Sequence, residues 1–266
     1  MMNNKAKELG LENTQFVTPH GLDADGHFTT AYELAILTNY ALQNETFAKI
    51  VKTKNYTVTI NGYPKTISNT NELLGYLNGV YGVKTGFTNG ANRCLVTAAK
   101  REDLDIICVV LGADTKKDRT KDSVKLIEDA FENYTVYNIG EIITKEYEEW
   151  KSQNINNFCI DKGVTNNVEI SLENEPYSLI PIKKTDIEKI KVNINCNFEY
   201  SSPLEIDTNL GNLDLKIGEE IICSLQIKNT NKVEKKGIYD YFLQLLKQYS
   251  KSFEYFKIQQ FGKRFT

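Results

Sequence analysis

Three apolar segments joined by short polar links constrain the fold of this chain most strongly. They run from Val80 to Gly86, from Arg93 to Lys100 and from Leu104 to Gly112, and the third is apolar enough for a central strand. The segment from Asp118 to Tyr134 follows and repeats its apolar residues at helical spacing. Sequential strands with short connections usually pair with each other. The pattern therefore predicts an antiparallel sheet with a helix packed across it.

The residues before these strands carry clear local signals. Thr30 and Glu33 form a capping-box pattern ahead of a predicted helix over residues 31–42. Residues 55–60 alternate in polarity and end at Asn61-Gly62, the dipeptide typical of a tight hairpin turn. These elements and the three strands predict an α+β domain over residues 1–135.

The pattern changes after residue 135. Short β-rich segments alternate with Asn, Asp and Gly turns, and we find no helix pattern among them. Residues 136–231 are therefore predicted to form a separate, small all-β domain.

The last part of the chain, residues 232–266, is predicted to be a tail with an amphipathic helix over 238–258. It contains 8 basic and 3 acidic residues, although the whole chain of 266 residues has a net charge of −3. The helix is compatible with three interpretations: a core helix, a helix that binds a partner, or an anchor in the membrane surface. Aromatic residues and basic flanks favour the membrane surface. Its apolar stripe consists of Ile238, Phe242, Leu245, Leu246, Tyr249, Phe253 and Phe256.

Composition excludes several classes of site. There are two histidines, and none of the five cysteines forms a C-x-x-C pair, so we expect no metal, no cofactor and no disulfide framework. Nothing in the sequence suggests a nucleic-acid partner. We also expect neither a signal peptide at Met1 nor a membrane-spanning helix.

The tripeptide Lys84-Thr85-Gly86 ends the first predicted strand and is the first candidate for chemistry. On an edge strand beside a cleft it would present an ammonium group, a hydroxyl group and an unobstructed stretch of backbone. Taken alone, a tripeptide is too short to indicate a function, and the simpler interpretation is an exposed strand end with a solvated lysine.

Other segments change that interpretation. In order and at matching spacing, they resemble the serine-type D-Ala-D-Ala carboxypeptidases, the low-molecular-mass penicillin-binding proteins of peptidase family S11. The resemblance implies a partial penicillin-binding or β-lactamase-like domain, then the small all-β domain and the amphipathic tail. The matching segments are Asn13 to Asp23, Gly26 to Ala35, Asn71 to Leu74, Gly82 to Thr88, Arg93 to Val96 and Val109 to Gly112.

The resemblance also implies roles for individual residues. Lys84 would assist proton transfer at a serine, and the backbone N–H of Phe87 would be one donor of an oxyanion hole. Thr85 and Gly86 would bind the substrate, with the Thr85 hydroxyl on the terminal carboxylate of a D-Ala-D-Ala stem peptide. Arg119 matches the carboxylate-binding arginine of the family, for which a bidentate guanidinium is suited. Without the resemblance, Arg119 reads as a solvated residue at the start of a helix.

One departure from the family pattern bears on activity. No serine precedes Ser68, and no serine is followed three residues later by lysine, as the family's Ser-x-x-Lys nucleophile motif requires. We therefore expect this chain alone to be inactive and to be the C-terminal part of a carboxypeptidase.

Peptidoglycan stem peptides, β-lactam antibiotics as inhibitors and the membrane surface are the expected partners, at the extracytoplasmic face of a bacterial cell membrane. A non-catalytic binding or scaffold protein of the envelope is the alternative. A β-lactamase is a third possibility, which the Pro19-His20-Gly21-Leu22 segment and the second domain argue against.

Overall fold

The protein has an α+β fold, as the sequence predicts. The computed structural model describes residues 1–174 and 178–249, with 33% helix and 37% strand. The described residues fall into two compact units. Unit 1 consists of residues 1–136 and 181–184, and the remaining described residues form unit 2. The finer division at residues 135 and 231 stays a prediction.

Unit 1 contains the helices and strands that the sequence predicts for its first part, and one further helix. The helices are α1 (Met2–Glu8), α2 (Ala31–Leu42), α3 (Glu45–Lys52) and α4 (Lys116–Asn133). The strands are β1 (Asn55–Ile60), β2 (Tyr63–Ser68), β3 (Val80–Thr88), β4 (Asn92–Arg101) and β5 (Leu104–Ala113).

Strands β3, β4 and β5 form the predicted antiparallel sheet in that spatial order. On one face, Leu95 of β4 is fully buried in a cluster that includes Ile127 of α4. On the other face, Val96 of β4 joins a cluster with Val51 of α3. Side chains alternate along a strand, so neighbouring residues of β4 face these two clusters.

Local sequence explains where the helices of unit 1 begin. The Thr30 hydroxyl accepts a hydrogen bond from the Glu33 N–H and caps α2 at the predicted residue. Helix α3 was not predicted, although Asn44 caps it by accepting from the Phe47 N–H at 3.0 Å. At only eight residues, α3 is shorter than the about 11 to 18 residues over which helical periodicity is ordinarily recognised.

Unit 2 contains a helix that the sequence pattern did not reveal. Helix α5 (Ile139–Asn154) contradicts the expectation that no helix interrupts the β-rich segments after residue 135. The Asn138 side chain caps it, and Ile139, Ile143 and Tyr147 are buried at i, i+4 and i+8. This stripe is narrow, and most of the remaining surface of the helix is charged or polar, which weakens the helical signal.

The strands of unit 2 surround its own hydrophobic core. These strands are β6 (Tyr134–Asn138), β7 (Cys159–Asp161), β8 (Ile170–Leu172), β9 (Leu179–Lys183), β10 (Ile190–Cys196), β11 (Glu199–Ser201), β12 (Asn209–Ile217) and β13 (Glu220–Asn229). A four-stranded antiparallel sheet has the order β10-β12-β13-β8, and β7 pairs with β11 in parallel. Strands β6 and β9 each contain residues of both units.

Residues 238–249 are helical, which agrees with the first part of the predicted tail helix. The rest of the predicted 238–258 segment, including Phe253 and Phe256, lies outside the described residues. Among the helices of the described ranges, none combines the length and the apolar character needed to cross a membrane.

Candidate active site

The loop before β3 is held against that strand by side-chain amides. The buried Asn71 side chain donates from Nδ2 to the Gly82 carbonyl at 3.0 Å. Its Oδ1 accepts from the Leu73 N–H at 3.1 Å, which fixes the turn that follows. Asn71 therefore fixes the position of residues 69–72 beside the start of the Lys84-Thr85-Gly86 segment.

Strand β3 presents the predicted residues on alternating sides. Thr85 lies opposite Leu95 and Phe87 opposite Arg93, so these four side chains share the face of the sheet that packs against α4. Lys84 belongs to the opposite face, and its Nζ donates to the Thr85 carbonyl. The Thr85 and Thr70 hydroxyls lie 2.6 Å apart, so the loop and the strand meet at the hydroxyl group that the sequence singled out.

Arg119, from the first turns of α4, is buried rather than solvated. Its side chain is 4% exposed, and Nη2 donates to Oε1 of Glu72 at 2.7 Å. The Thr120 hydroxyl donates to the same carboxylate oxygen, and the Lys116 ammonium lies 3.7 Å from Oε2. The interpretation of Arg119 as a solvated residue at a helix start is therefore wrong.

The Glu72 carboxylate is held ionised by these contacts. Burial raises its pKa, but hydrogen bonds from the Thr120 hydroxyl, the backbone and Arg119 outweigh that effect. The pKa consequently lies below its ordinary value of 4.5. Nε of Arg119 is buried and has no hydrogen-bond partner among the described residues. The guanidinium thus keeps a donor that the protein does not satisfy.

Arg93 occupies a different position, on the surface of the sheet. Its guanidinium carbon lies 3.5 Å from the centre of the Phe87 ring, directly across from it in the register of β3 and β4. Phe87 is 52% exposed. This contact, a cation–π interaction, orients the guanidinium at the mouth of the site.

All five predicted site residues line one cleft of about 520 Å³. It lies within unit 1, and its walls are the loop before β3, strands β3 and β4, and the start of α4. The cleft contains four cationic side chains and one carboxylate, that of Glu72. Such a surface favours an anionic ligand. The lining residues are Asn69, Thr70, Glu72, Lys84, Thr85, Gly86, Phe87, Arg93, Lys116 and Arg119.

Sequence reasoning did not identify Thr70, Glu72, Arg93 or Lys116 as part of this cleft. Glu72 is 47 residues from Arg119 in the chain, so no local spacing reveals the pair. Arg93 was noted only as the start of a predicted strand and of a segment that matches the family, and its position opposite Phe87 follows from the observed register of β3 and β4.

The Pro-His-Gly-Leu loop near the start of the chain reaches the same end of the sheet. Oδ2 of Asp23 accepts a hydrogen bond from the Gly90 N–H, in the turn between β3 and β4, at 3.1 Å. His20 and His27 accept backbone N–H hydrogen bonds within their own loop. Both histidines therefore have a structural role in holding this loop.

Known proteins of one family match this chain. The family of D-alanyl-D-alanine carboxypeptidases, peptidase family S11, matches residues 1–115. The chain is 31% identical to D-alanyl-D-alanine carboxypeptidase DacF of Bacillus subtilis (strain 168) over 251 residues, which cover 94% of this chain and 62% of DacF. It is 32% identical to D-alanyl-D-alanine carboxypeptidase DacD of Escherichia coli (strain K12) over 218 residues, or 81% of this chain and 52% of DacD.

A solved structure gives the same result. Penicillin binding protein 5 from Haemophilus influenzae matches with a TM-score of 0.63 and 26% identity, over 88% of this chain and 65% of that protein. The chain therefore spans between about half and two thirds of the length of these three proteins. The family match, the sequence relatives and the fold agree: the chain belongs to the D-alanyl-D-alanine carboxypeptidase family, peptidase family S11.

Proposed function

We propose that this chain supplies one wall of the active site of a serine-type D-Ala-D-Ala carboxypeptidase, the wall that binds the free carboxylate of the peptide substrate. The observation that carries the proposal is the cleft itself. It brings Lys84, Thr85, Gly86, Phe87 and Arg119 together with an excess of positive charge. A free C-terminal carboxylate is the chemical group that such a surface complements.

Thr85 is the direct contact to that carboxylate in this proposal. Its hydroxyl faces the cleft and pairs with the Thr70 hydroxyl, which can orient its proton toward a ligand oxygen. Gly86 follows with no side chain to obstruct a peptide lying along β3. Lys84 contributes charge from the opposite side of the strand.

Arg119 contributes positive charge beside Glu72, which accepts one N–H of its Nη2. Its buried Nε has no hydrogen-bond partner among the described residues. A guanidinium carries five N–H groups, so the contact with Glu72 leaves other donors of Arg119 for a substrate carboxylate.

The reaction that fits this wall is removal of the terminal D-Ala through an acyl-enzyme. A serine attacks the scissile carbonyl, and the Phe87 N–H stabilises the oxyanion that forms. The 266 residues contain no Ser-x-x-Lys, so in this proposal the serine belongs to a segment other than these residues. β-Lactams would acylate the same serine and would inhibit the assembled site.

A titration tests the binding role directly. The probe is N-acetyl-L-Gln-D-Ala-D-Ala with a free carboxylate, and its matched control is the same peptide ending in a carboxamide. We expect the acid to shift the amide NMR signals of residues 84–87 and the amide to bind at least tenfold more weakly, as loss of a charge-assisted contact implies. Thr85→Val should weaken binding of the acid, while Thr66→Val on the exposed β1–β2 hairpin should not. Equal binding of acid and amide would overturn the proposed role.

We also propose that the C-terminal helix attaches the protein to the outer surface of a bacterial cell membrane. Support comes from Ile238, Phe242, Leu245 and Tyr249, which recur along residues 238–249 and are each more than half exposed. Lys235 and Lys236 precede the helix and suit anionic headgroups.

Co-sedimentation with phosphatidylglycerol–phosphatidylcholine vesicles tests this attachment. The full chain should pellet with the vesicles, and the double variant F242E/L245E should remain in the supernatant. Gln244→Glu adds charge on the same helix outside that stripe and serves as the control. Sedimentation that is unchanged in F242E/L245E would contradict the proposal.

A further inference from the structure

The cleft carries more positive charge than one terminal carboxylate would balance. Lys84, Arg93, Lys116 and Arg119 line it, and Glu72 is the single acidic lining residue. Subtracting Glu72 leaves three positive charges, and one substrate carboxylate would reduce these to two. The charge pattern suits a ligand with more than one negative group.

Arg93 is the cation best placed for a second group. It forms no ion pair with any carboxylate in the described part of the chain. Arg101 offers an internal comparison, since it also stacks on a phenylalanine, Phe131, at 4.4 Å. Arg101, however, is satisfied by a two-pronged contact with Glu128, at 2.7 and 2.5 Å. Arg93 has the same aromatic support without the carboxylate.

The geometry of the strand places Arg93 at a definite distance from Thr85. Thr85 and Phe87 project from the same face of β3 two residues apart, which corresponds to about 7 Å along an extended strand. Arg93 stacks on Phe87 at that point. A peptide lying extended along β3, with its terminal carboxylate at Thr85, therefore brings its third residue from the C-terminus near Arg93.

We propose that Arg93, supported by Phe87, is a specificity-determining residue that binds a second carboxylate, carried by the side chain of the residue before D-Ala-D-Ala. The substrate class is an acidic peptide of the form X-D-Ala-D-Ala in which X has an anionic side chain. A planar guanidinium held on an aromatic ring keeps its N–H edges available for two parallel hydrogen bonds to that carboxylate. This inference rests on the proposed function of the same cleft.

The test compares two isosteric peptides, N-acetyl-L-Glu-D-Ala-D-Ala and N-acetyl-L-Gln-D-Ala-D-Ala, by titration calorimetry against the full chain. We expect the glutamate peptide to bind about tenfold more tightly, as one charge-assisted pair implies. Arg93→Gln should abolish that preference, because it should weaken binding of the glutamate peptide much more than binding of the glutamine peptide. Arg93→Lys should retain part of it, because lysine keeps the charge but not the planar fork. Lys125→Gln removes the same charge from an exposed position on α4 outside the cleft and is the control.

The outcomes separate the two proposals. If both peptides bind equally well and Arg93→Gln changes neither affinity, Arg93 does not determine specificity, while the carboxylate-binding function stands. If Arg93→Gln and Lys125→Gln reduce the preference equally, general charge rather than Arg93 is responsible, and the inference fails. If neither peptide binds, the proposed function fails and the inference fails with it.

Discussion

Nη2 of Arg119 donates a 2.7 Å hydrogen bond to Oε1 of Glu72, and this contact connects the start of α4 to the loop before β3. It places a carboxylate of the protein beside the arginine that the family pattern assigns to a carboxylate of the substrate. Glu72 therefore competes with the ligand for Arg119 in the proposed site.

Removing the Glu72 charge should strengthen ligand binding. In Glu72→Gln, Arg119 and Lys116 lose their acidic partner, and the cleft gains one net positive charge. We expect N-acetyl-L-Gln-D-Ala-D-Ala to bind about threefold to tenfold more tightly, an effect of one nearby charge in a partly solvated site. Titration calorimetry measures it, with Glu219→Gln in the exposed β12–β13 turn as the control. Weaker binding by Glu72→Gln would show that Glu72 positions Arg119 for the ligand rather than competing with it.

The Glu72–Arg119 pair should also make the stability of the fold sensitive to acid. The pKa of Glu72 in the folded protein lies below its ordinary value of 4.5. The ionised pair therefore stabilises the fold fully above about pH 4.5, and that stabilisation is lost as the pH falls through the lowered pKa. Urea unfolding between pH 7 and pH 3 should show a shallower acid decline for Glu72→Gln than for the unmodified chain. Parallel curves would mean that Glu72 has the same pKa in both states.

Gly86→Ala should weaken ligand binding with little effect on the stability of the fold. A Cβ at residue 86 would meet the Cys94 Cβ at 3.5 Å, an ordinary contact, and the backbone there needs no left-handed conformation. The variant should unfold within about 1 kcal/mol of the unmodified chain, as exposed substitutions generally do. It should nevertheless bind the D-Ala-D-Ala acid more weakly, because a methyl group narrows the cleft that residue 86 lines. Unchanged binding would place the ligand elsewhere.

Gly79→Ala should lower the free energy of unfolding much more than Gly86→Ala does. Residue 79 has φ +84°, and an added Cβ would clash with the Lys100 carbonyl oxygen. That clash lies where the Lys100 N–H donates to the Gly79 carbonyl at 3.0 Å, ahead of β3. Gly62→Ala is the matched control, with φ +81° and no atom within 4 Å of the added Cβ.

The left-handed conformation alone should cost Gly62→Ala roughly 1–2 kcal/mol. Gly79→Ala should lose distinctly more in the free energy of unfolding, measured in urea. Equal losses in the two variants would mean that the start of β3 shifts at little cost.

The sequence predicted the elements that are marked by a local capping or turn residue or by a long apolar run. Thr30 marked the first turn of α2, and Asn61-Gly62 marked the β1–β2 hairpin, where both residues adopt positive φ. Three apolar runs were enough to predict β3, β4 and β5. Each of these signals lies within the element that it specifies.

The features that the sequence did not predict depend on contacts between residues that are distant in the chain. Helix α5 has a narrow buried stripe, Ile139, Ile143 and Tyr147, that becomes evident only when the sheet of unit 2 packs against it. The Glu72–Arg119 pair and the Arg93–Phe87 stack each join different elements. Resemblance located Lys84 to Phe87 and Arg119, but it did not reveal the carboxylate that shares the cleft with them.

Covalent labelling with a fluorescent penicillin tests the central claim most directly. The 266-residue chain is labelled beside the same chain extended upstream in its own reading frame to include a Ser-x-x-Lys segment, and both are denatured before detection. If these residues are one wall of a carboxypeptidase site, the extended protein retains the label, Thr85→Val in it reduces the rate of labelling, and the 266-residue chain retains none. Label retained by the 266-residue chain, or none on the extended protein, would contradict the account.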